Sequence, residues 1–184
     1  RELNNSRLLF VAKGTGVAIA LSQMKWLADI GCRADVMVSA QTKNEMLFTS
    51  ELERVCDNIY FVTKDGSLGF HGTEAQLLEM LLHEGVKPYD LIITTGPLTM
   101  MKAVSTTAKG YGIPVTANFI VQLFENGCEH GPFRIVTDGV MKNVDSEGPE
   151  FPALSIDFEQ ALSSLRMTLH VSETEMGLDD TATV

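Results

Sequence analysis

Along the first two thirds of the chain, short solid runs of apolar residues alternate with longer stretches whose apolar positions recur every three to four residues. The solid runs read as strands buried on both faces, and the periodic stretches as amphipathic helices. Strands are predicted at Arg7–Ala12, Ala34–Ala40, Asn58–Val62, Tyr89–Thr95 and Pro114–Asn118. Helices are predicted at Gly16–Ile30, Asn44–Val55, Thr73–His83 and Leu98–Lys109. Gly31, Gly85 and Gly110 stand at helix ends, where a glycine relieves the left-handed cap. Thr73 followed by Gln76 has the spacing of a capping box. Strands that alternate regularly with helices predict an α/β fold, a doubly wound five-stranded parallel sheet.

Beyond Asn118 the alternation stops. Residues 119–155 are interrupted by glycine and proline and hold only brief apolar runs such as Phe133–Val136, so an irregular segment is expected. Helical spacing returns at Ile156, Phe158, Ala161, Leu162, Leu165 and Leu169, with Ser155 as its N-cap. The expected organisation is a Rossmann-like domain over 1–118, the irregular segment over 119–155, a C-terminal helix over 156–171 and an acidic tail over 172–184.

The 184 residues suffice for a core without disulfides, and 45% hydrophobic residues exclude a wholly disordered chain. No run reaches the ~18 apolar residues of a membrane helix. The opening RELNNSRLLFVAKG lacks the parts of a signal peptide. The net charge is −10, and residues 145–184 carry nine acids and one base. That asymmetry disfavours nucleic acid as a partner and fits a solvated, solubilising surface. Cys32, Cys56 and Cys128 are scattered, so reduced thiols and a cytoplasmic location are expected.

Candidate chemistry gathers where predicted strands end, which is where α/β sheets bind ligands. Gly14-Thr15-Gly16-Val17-Ala18 joins the first strand to the first helix. Its glycines allow close approach of a pyrophosphate to a helix N-terminus, although Ile19 stands where a full G-x-G-x-x-G has its third glycine. Ser39–Lys43, after the second strand, offers Gln41 and Lys43 but no acid for an adenosine ribose. Thr63–Gly72 follows the third strand as a shaped loop around Asp65-Gly66. Gly96-Pro97-Leu98-Thr99-Met100-Met101 follows the fourth, and its methionines read either as a soft surface for a flat ring or as helix-to-sheet packing. Cys128 and Arg134 have phosphatase-loop spacing, but no strand precedes them and no hydroxyl follows. The four histidines show no zinc spacing, and there is no P-loop. No catalytic residue is assigned, and no metal ligand.

Phe10–Ala20, Thr63–Gly72 and Gly96–Val104 together resemble the nucleotide domain of ferredoxin–NADP reductase-like flavoproteins. They are most similar to the small flavin subunit of NADH-dependent ferredoxin:NADP oxidoreductase. Sulfide dehydrogenase and the electron transfer subunits of dihydroorotate dehydrogenase look closely related. Glu147–Leu162 resembles the C-terminal end of that subfamily. The resemblance implies NAD(P)H bound by Gly14, Thr15, Gly16, Val17, Gln41, Lys43, Asp65, Gly66, Gly96, Pro97, Met100 and Met101. It also implies hydride transfer to an FAD on a β-barrel domain of the same full-length chain. The present chain starts at the first Rossmann strand, so it is expected to be a C-terminal piece that turns nothing over alone. A partner flavoprotein similar to the small chain of glutamate synthase is implied as well. The alternative is a non-catalytic module for docking or nucleotide sensing.

The sequence departs from that family in three respects. Ala18 replaces a glycine and Leu21 a proline. Members carry a [2Fe–2S] cluster on cysteines whose places here are held by His130, Phe133 and Asp145, with Cys128 out of register. One thiol cannot supply about four soft ligands, so the cluster is expected to be lost.

Overall fold

In the computed structural model, residues 6–83, 89–126 and 133–165 are described. The chain runs through β1 (Leu8–Lys13), α1 (Gly16–Asp29), β2 (Ala34–Ala40), α2 (Thr49–Val55), β3 (Cys56–Thr63), β4 (Phe70–His71), α3 (Glu74–His83), β5 (Leu91–Thr95) and α4 (Leu98–Gly110). It continues through β6 (Val115–Asn118), α5 (Ile120–Asn126), β7 (Arg134–Thr137), β8 (Val140–Asn143), α6 (Val144–Glu147) and β9 (Glu150–Pro152). A helix over 158–165, here α7, follows.

The main sheet has seven strands in the order β4-β3-β2-β1-β5-β6-β9. Its centre is the parallel five-stranded sheet expected, and the fold is α/β. Two short edge strands extend it. β4 pairs parallel with β3 through two residues, and β9 pairs antiparallel with β6, Ala117 opposite Phe151. The strand order reverses at β1, which lies between β2 and β5. The crevice of a doubly wound sheet opens there, at the carboxyl ends of the strands.

Alternation along the strands divides the core in two. Leu8, Phe10, Ala12, Val36 and Val38 pack under α1 and α2 with Val17, Leu21, Met24 and Leu52. Leu9, Val11, Met37, Val62 and Ile92 pack on the other face with Leu78 of α3 and Met101 and Val104 of α4. This second core continues into Phe119, Phe133, Phe151 and Phe158. The described residues of 119–155 supply α5, a β7–β8 hairpin, α6 and a sheet strand, more regular structure than the irregular segment expected, sealed by Phe119 lying 5.9 Å from Phe133 and 6.1 Å from Phe151, ring centre to ring centre.

Several boundaries differ from expectation. Helix α2 starts at Thr49, because Phe48 takes a left-handed backbone (φ 55°) and the Lys43 N–H is bonded to the Ser67 hydroxyl at 2.8 Å. The left-handed residue after α4 is Gly112 (φ 68°) instead of Gly110. Asp157, not Ser155, caps the last helix, its carboxylate accepting the Gln160 N–H at 3.0 Å. Gly31 ends α1 as expected, with φ 81°. The capping box of α3 forms in both directions, Thr73 N–H to Gln76 Oε1 at 2.9 Å and Gln76 N–H to Thr73 Oγ1 at 3.3 Å. Gly85, Cys128, His130 and the acidic tail lie outside the described residues. No helix among the described residues is long and apolar enough to cross a membrane.

Candidate functional site

The switch point brings two glycine turns together. Gly14 leaves β1 with φ 58°, and Gly96 leaves β5 with φ 144°. A side chain is disfavoured at both, so the backbone itself forms the rim of the crevice. Gly16 is constrained differently. A Cβ there would lie 2.4 Å from the Thr95 carbonyl oxygen and 2.8 Å from its carbon. Glycine at 16 therefore lets the start of α1 pack against the end of β5, as close helix-to-strand packing requires.

Two helices begin at this point. Helix α1 starts after Thr15 and α4 after Pro97, and neither has an acid in its first turn. Both N-termini direct partial positive charge to one place, a favourable setting for an anion. The Val17 and Ala18 N–H groups are spent on Gly14 and Thr15 carbonyls, 3.1 Å each. Val17 itself is 1% exposed and belongs to the core under α1.

Behind Gly96 lies Gln122 of α5, 1% exposed, whose amide donates to the Gly96 carbonyl at 2.8 Å. Gln122 Oε1 and the hydroxyls of Thr94 and Thr95 are buried without a hydrogen-bond partner among the described residues. Thr94 and Thr95 are the last two residues of β5, so their hydroxyls lie on opposite faces of the sheet. Met101 is fully buried between α4 and the sheet, which is the packing alternative of its two readings. Met100 is 5% exposed and its Cε would lie 3.1 Å from a Cβ on Gly96, which makes it the floor of the turn.

The third wall is a pair of loops stitched together. Lys64 and Asp65 donate their N–H groups to the carbonyls of Ala40 and Gln41 at 3.2 and 3.1 Å, and Ser67 Oγ receives the Lys43 N–H. Asp65 accepts both the N–H and the hydroxyl of Ser67, at 2.9 and 2.6 Å. Those bonds hold its carboxyl below the usual carboxylate range. Asp65 thus shapes the loop, with Gly66 at φ 74° beside it. Gly69 (φ 69°) allows the loop to close on β3, where a Cβ would lie 2.2 Å from the Phe61 carbonyl oxygen. Gln41, Lys43 and Lys64 remain exposed at the rim.

Sequence reasoning missed one cluster. Ser39 and Lys13 are register partners at the ends of β2 and β1. Glu74, the first residue of α3, accepts hydrogen bonds from the Ser39 hydroxyl and from Lys13 Nζ, the latter at 3.2 Å. The signal was present as a polar residue closing the buried face of each strand, after Val11 and after Met37.

No family model matches the chain. It is similar to an uncharacterized protein in the adh 3' region of Clostridium beijerinckii, 31% identical over 161 residues that make up 88% of this chain and 54% of that protein. It is also similar to a homolog of the dihydroorotate dehydrogenase B (NAD(+)) electron transfer subunit from Thermotoga maritima, 26% identical over 162 residues, 88% of this chain and 56% of that one. Homologues of the chain are thus electron transfer subunits of dihydroorotate dehydrogenase B. The chain spans about half the length of these curated relatives. Its fold matches the structure of an NADH-dependent reduced ferredoxin-NADP oxidoreductase with a TM-score of 0.75 at 24% identity, over 94% of this chain and 63% of that one. The two share the α/β fold with a mostly parallel sheet.

Proposed function

We propose that this chain, whose homologues are electron transfer subunits, is the pyridine-nucleotide domain of a flavin-dependent oxidoreductase. The observation that carries the reading is the convergence of two acid-free helix N-termini on two glycine turns at the switch point. NAD(P)H, when bound, supplies a hydride for a flavin on another domain. Gly14, Thr15 and Gly16 hold its pyrophosphate, and Gln41 and Lys43 face its adenosine end. Gly96 and Pro97 carry the nicotinamide end, with Met100 beneath them. Gln122 fixes the Gly96 carbonyl so that this turn keeps its shape in the empty and filled states.

The flavin is placed on a barrel domain of the full-length protein, which works in the cytoplasm. A glutamate synthase small-chain-like flavoprotein is the partner that the resemblance suggests. In this reading the hydride passes to that flavin, so turnover requires the flavin domain. The iron–sulfur cluster of the resembled subfamily does not fit here. Phe133, at one of its ligand positions, is 4% exposed and packed on Phe119, and a phenyl ring offers no lone pair to iron. Asp145, at another, is an exposed residue of α6. No electron step is routed through that segment.

The test is calorimetric titration of the purified chain with NADH and NADPH, preceded by an absorption spectrum. Saturable binding by a colourless protein is expected. A brown, iron-containing protein would contradict the loss of the cluster. A folded chain that binds neither nucleotide would favour the docking module.

A further inference from the structure

We infer that Lys13 is the cationic contact for the pyrophosphate of the bound nucleotide, and that Glu74 and Ser39 are positioning residues that hold its ammonium at the crevice. The inference rests on the nucleotide reading above.

The strand faces carry the argument. Leu9, Val11 and Lys13 share one face of β1, and Met37 and Ser39 share the same face of β2. Leu9, Val11 and Met37 are wholly buried core residues. At the last position of each strand the pattern changes to a lysine and a serine. An apolar pair there would have continued the core at no electrostatic cost. The lysine stem covers the top of the core, while its side chain stays 30% exposed.

Glu74 is fixed from several sides. Its side chain is 9% exposed, it receives the Ser39 hydroxyl, and it occupies the first turn of α3, where the helix dipole favours a carboxylate. The Thr73–Gln76 capping box sets that turn. The carboxylate therefore tethers the ammonium from below. Lys13 has three N–H donors, and Glu74 is its one hydrogen-bond partner among the described residues. Two donors remain for an anion.

The position is right for one. Lys13 directly precedes Gly14, and its carbonyl oxygen and Cβ lie 3.1 and 3.3 Å from where a Cβ on Gly96 would stand. Its side chain leaves the sheet at the switch point, beside both glycine turns. A diphosphate there would meet two helix N-termini and one spare ammonium, which together suit two negative charges.

The experiment measures the Kd of the purified chain for NADH and for ADP-ribose, at low and at moderate salt. Lys13→Met is expected to weaken both ligands about tenfold and to flatten the salt dependence, and Lys13→Arg to restore most of the loss. Glu74→Asp keeps the charge but shortens the tether. It is expected to weaken binding about threefold alone and to have no further effect beside Lys13→Met, since the two act as one unit. The Lys13→Met/Glu74→Gln double variant, neutral at both positions, replaces Lys13→Met should the lone buried carboxylate unfold the chain. Wild-type affinity and salt dependence in a folded Lys13→Met or double variant would overturn the inference alone and assign the pair to structure. So would a loss that Lys13→Arg does not restore. A wild-type chain that binds neither ligand would overturn the nucleotide reading and this inference together.

Discussion

Two polar clusters cap the sheet, one at each end of β1 and β2, and each is built around a buried carboxylate. At the amino end, Asp35 accepts the Asn58 amide and the Tyr89 hydroxyl, both at 2.8 Å, with Arg7 at 3.7 Å. The Arg7 guanidinium also lies over the Tyr89 ring, 5.0 Å from its centre. Burial, then the bond to Asp35, pushes the Tyr89 phenol far above its usual range, so it stays a neutral donor. At the carboxyl end, Glu74 accepts Ser39 and Lys13, and Lys13 keeps unspent donors. The first cluster is closed by its own members. The second is open and adjoins two glycine turns. Similar residues do different work because one end of a doubly wound sheet is packed shut and the other forms the crevice.

The sharpest way to break this contrast is at the closed end. Asp35→Ala leaves Arg7, Asn58 and Tyr89 without their common acceptor, and is expected to cost about 3–5 kcal/mol of stability. Nucleotide affinity of the remaining folded protein should not change. Thermal melts with and without ligand check both statements. A loss of affinity in folded protein would mean that the two ends are coupled.

Gly16→Val is expected to come next, at about 1–3 kcal/mol, because its side chain collides with Thr95 backbone. It should lower both stability and nucleotide binding, unlike the closed-end variant. The sequence alone places this glycine against a pyrophosphate; in the structure it also meets β5. A variant that melts like wild type would contradict the packing.

Thr73→Ala removes the capping box that sets Glu74 and is expected to cost about 1 kcal/mol. The melt measures it, and no loss would show that the turn is held by other means.

The smallest effect is in acid. Asp65 titrates below its usual value because Ser67 stabilises the ionised form. A depressed carboxyl contributes stability above its unfolded value of ~3.9, and the contribution disappears as pH falls through the lower folded value. Protection of the Lys43 and Ser67 amides, that is, their exchange relative to the intrinsic rate at each pH, should therefore be unchanged from pH 7 to 5 and fall only below about pH 4. Protection already lost at pH 5 would mean that Asp65 does not hold the loops.

How much of this was legible follows from the range of each interaction. The five central strands could be read because burial on both faces leaves solid apolar runs such as Leu8–Ala12. Helix α3 could be read because its capping box is local. The edge strands β4 and β9 are two and three residues long, too short for any periodicity. The β7–β8 hairpin did have a signal, Asp138-Gly139 between two short apolar runs, with φ 51° and 76° in the turn. Both glycine turns lie at strand ends as read from the sequence; Val17 is buried and Met101 takes the packing alternative, a distinction spacing alone does not make between a rim residue and the core behind it. The Lys13–Ser39–Glu74 cluster joins residues 35 and 61 positions apart, and only the register of β1 on β2 brings them together.

The central claim is that the open end binds a pyridine nucleotide. Its most direct measurement is the calorimetric titration of the wild-type chain with NADH and NADPH, with the Gly16→Val variant run in parallel. The account predicts saturable binding of at least one nucleotide by the wild type, and its loss in the folded fraction of the variant. A folded wild-type chain that binds neither, or a variant that binds as tightly, would contradict it.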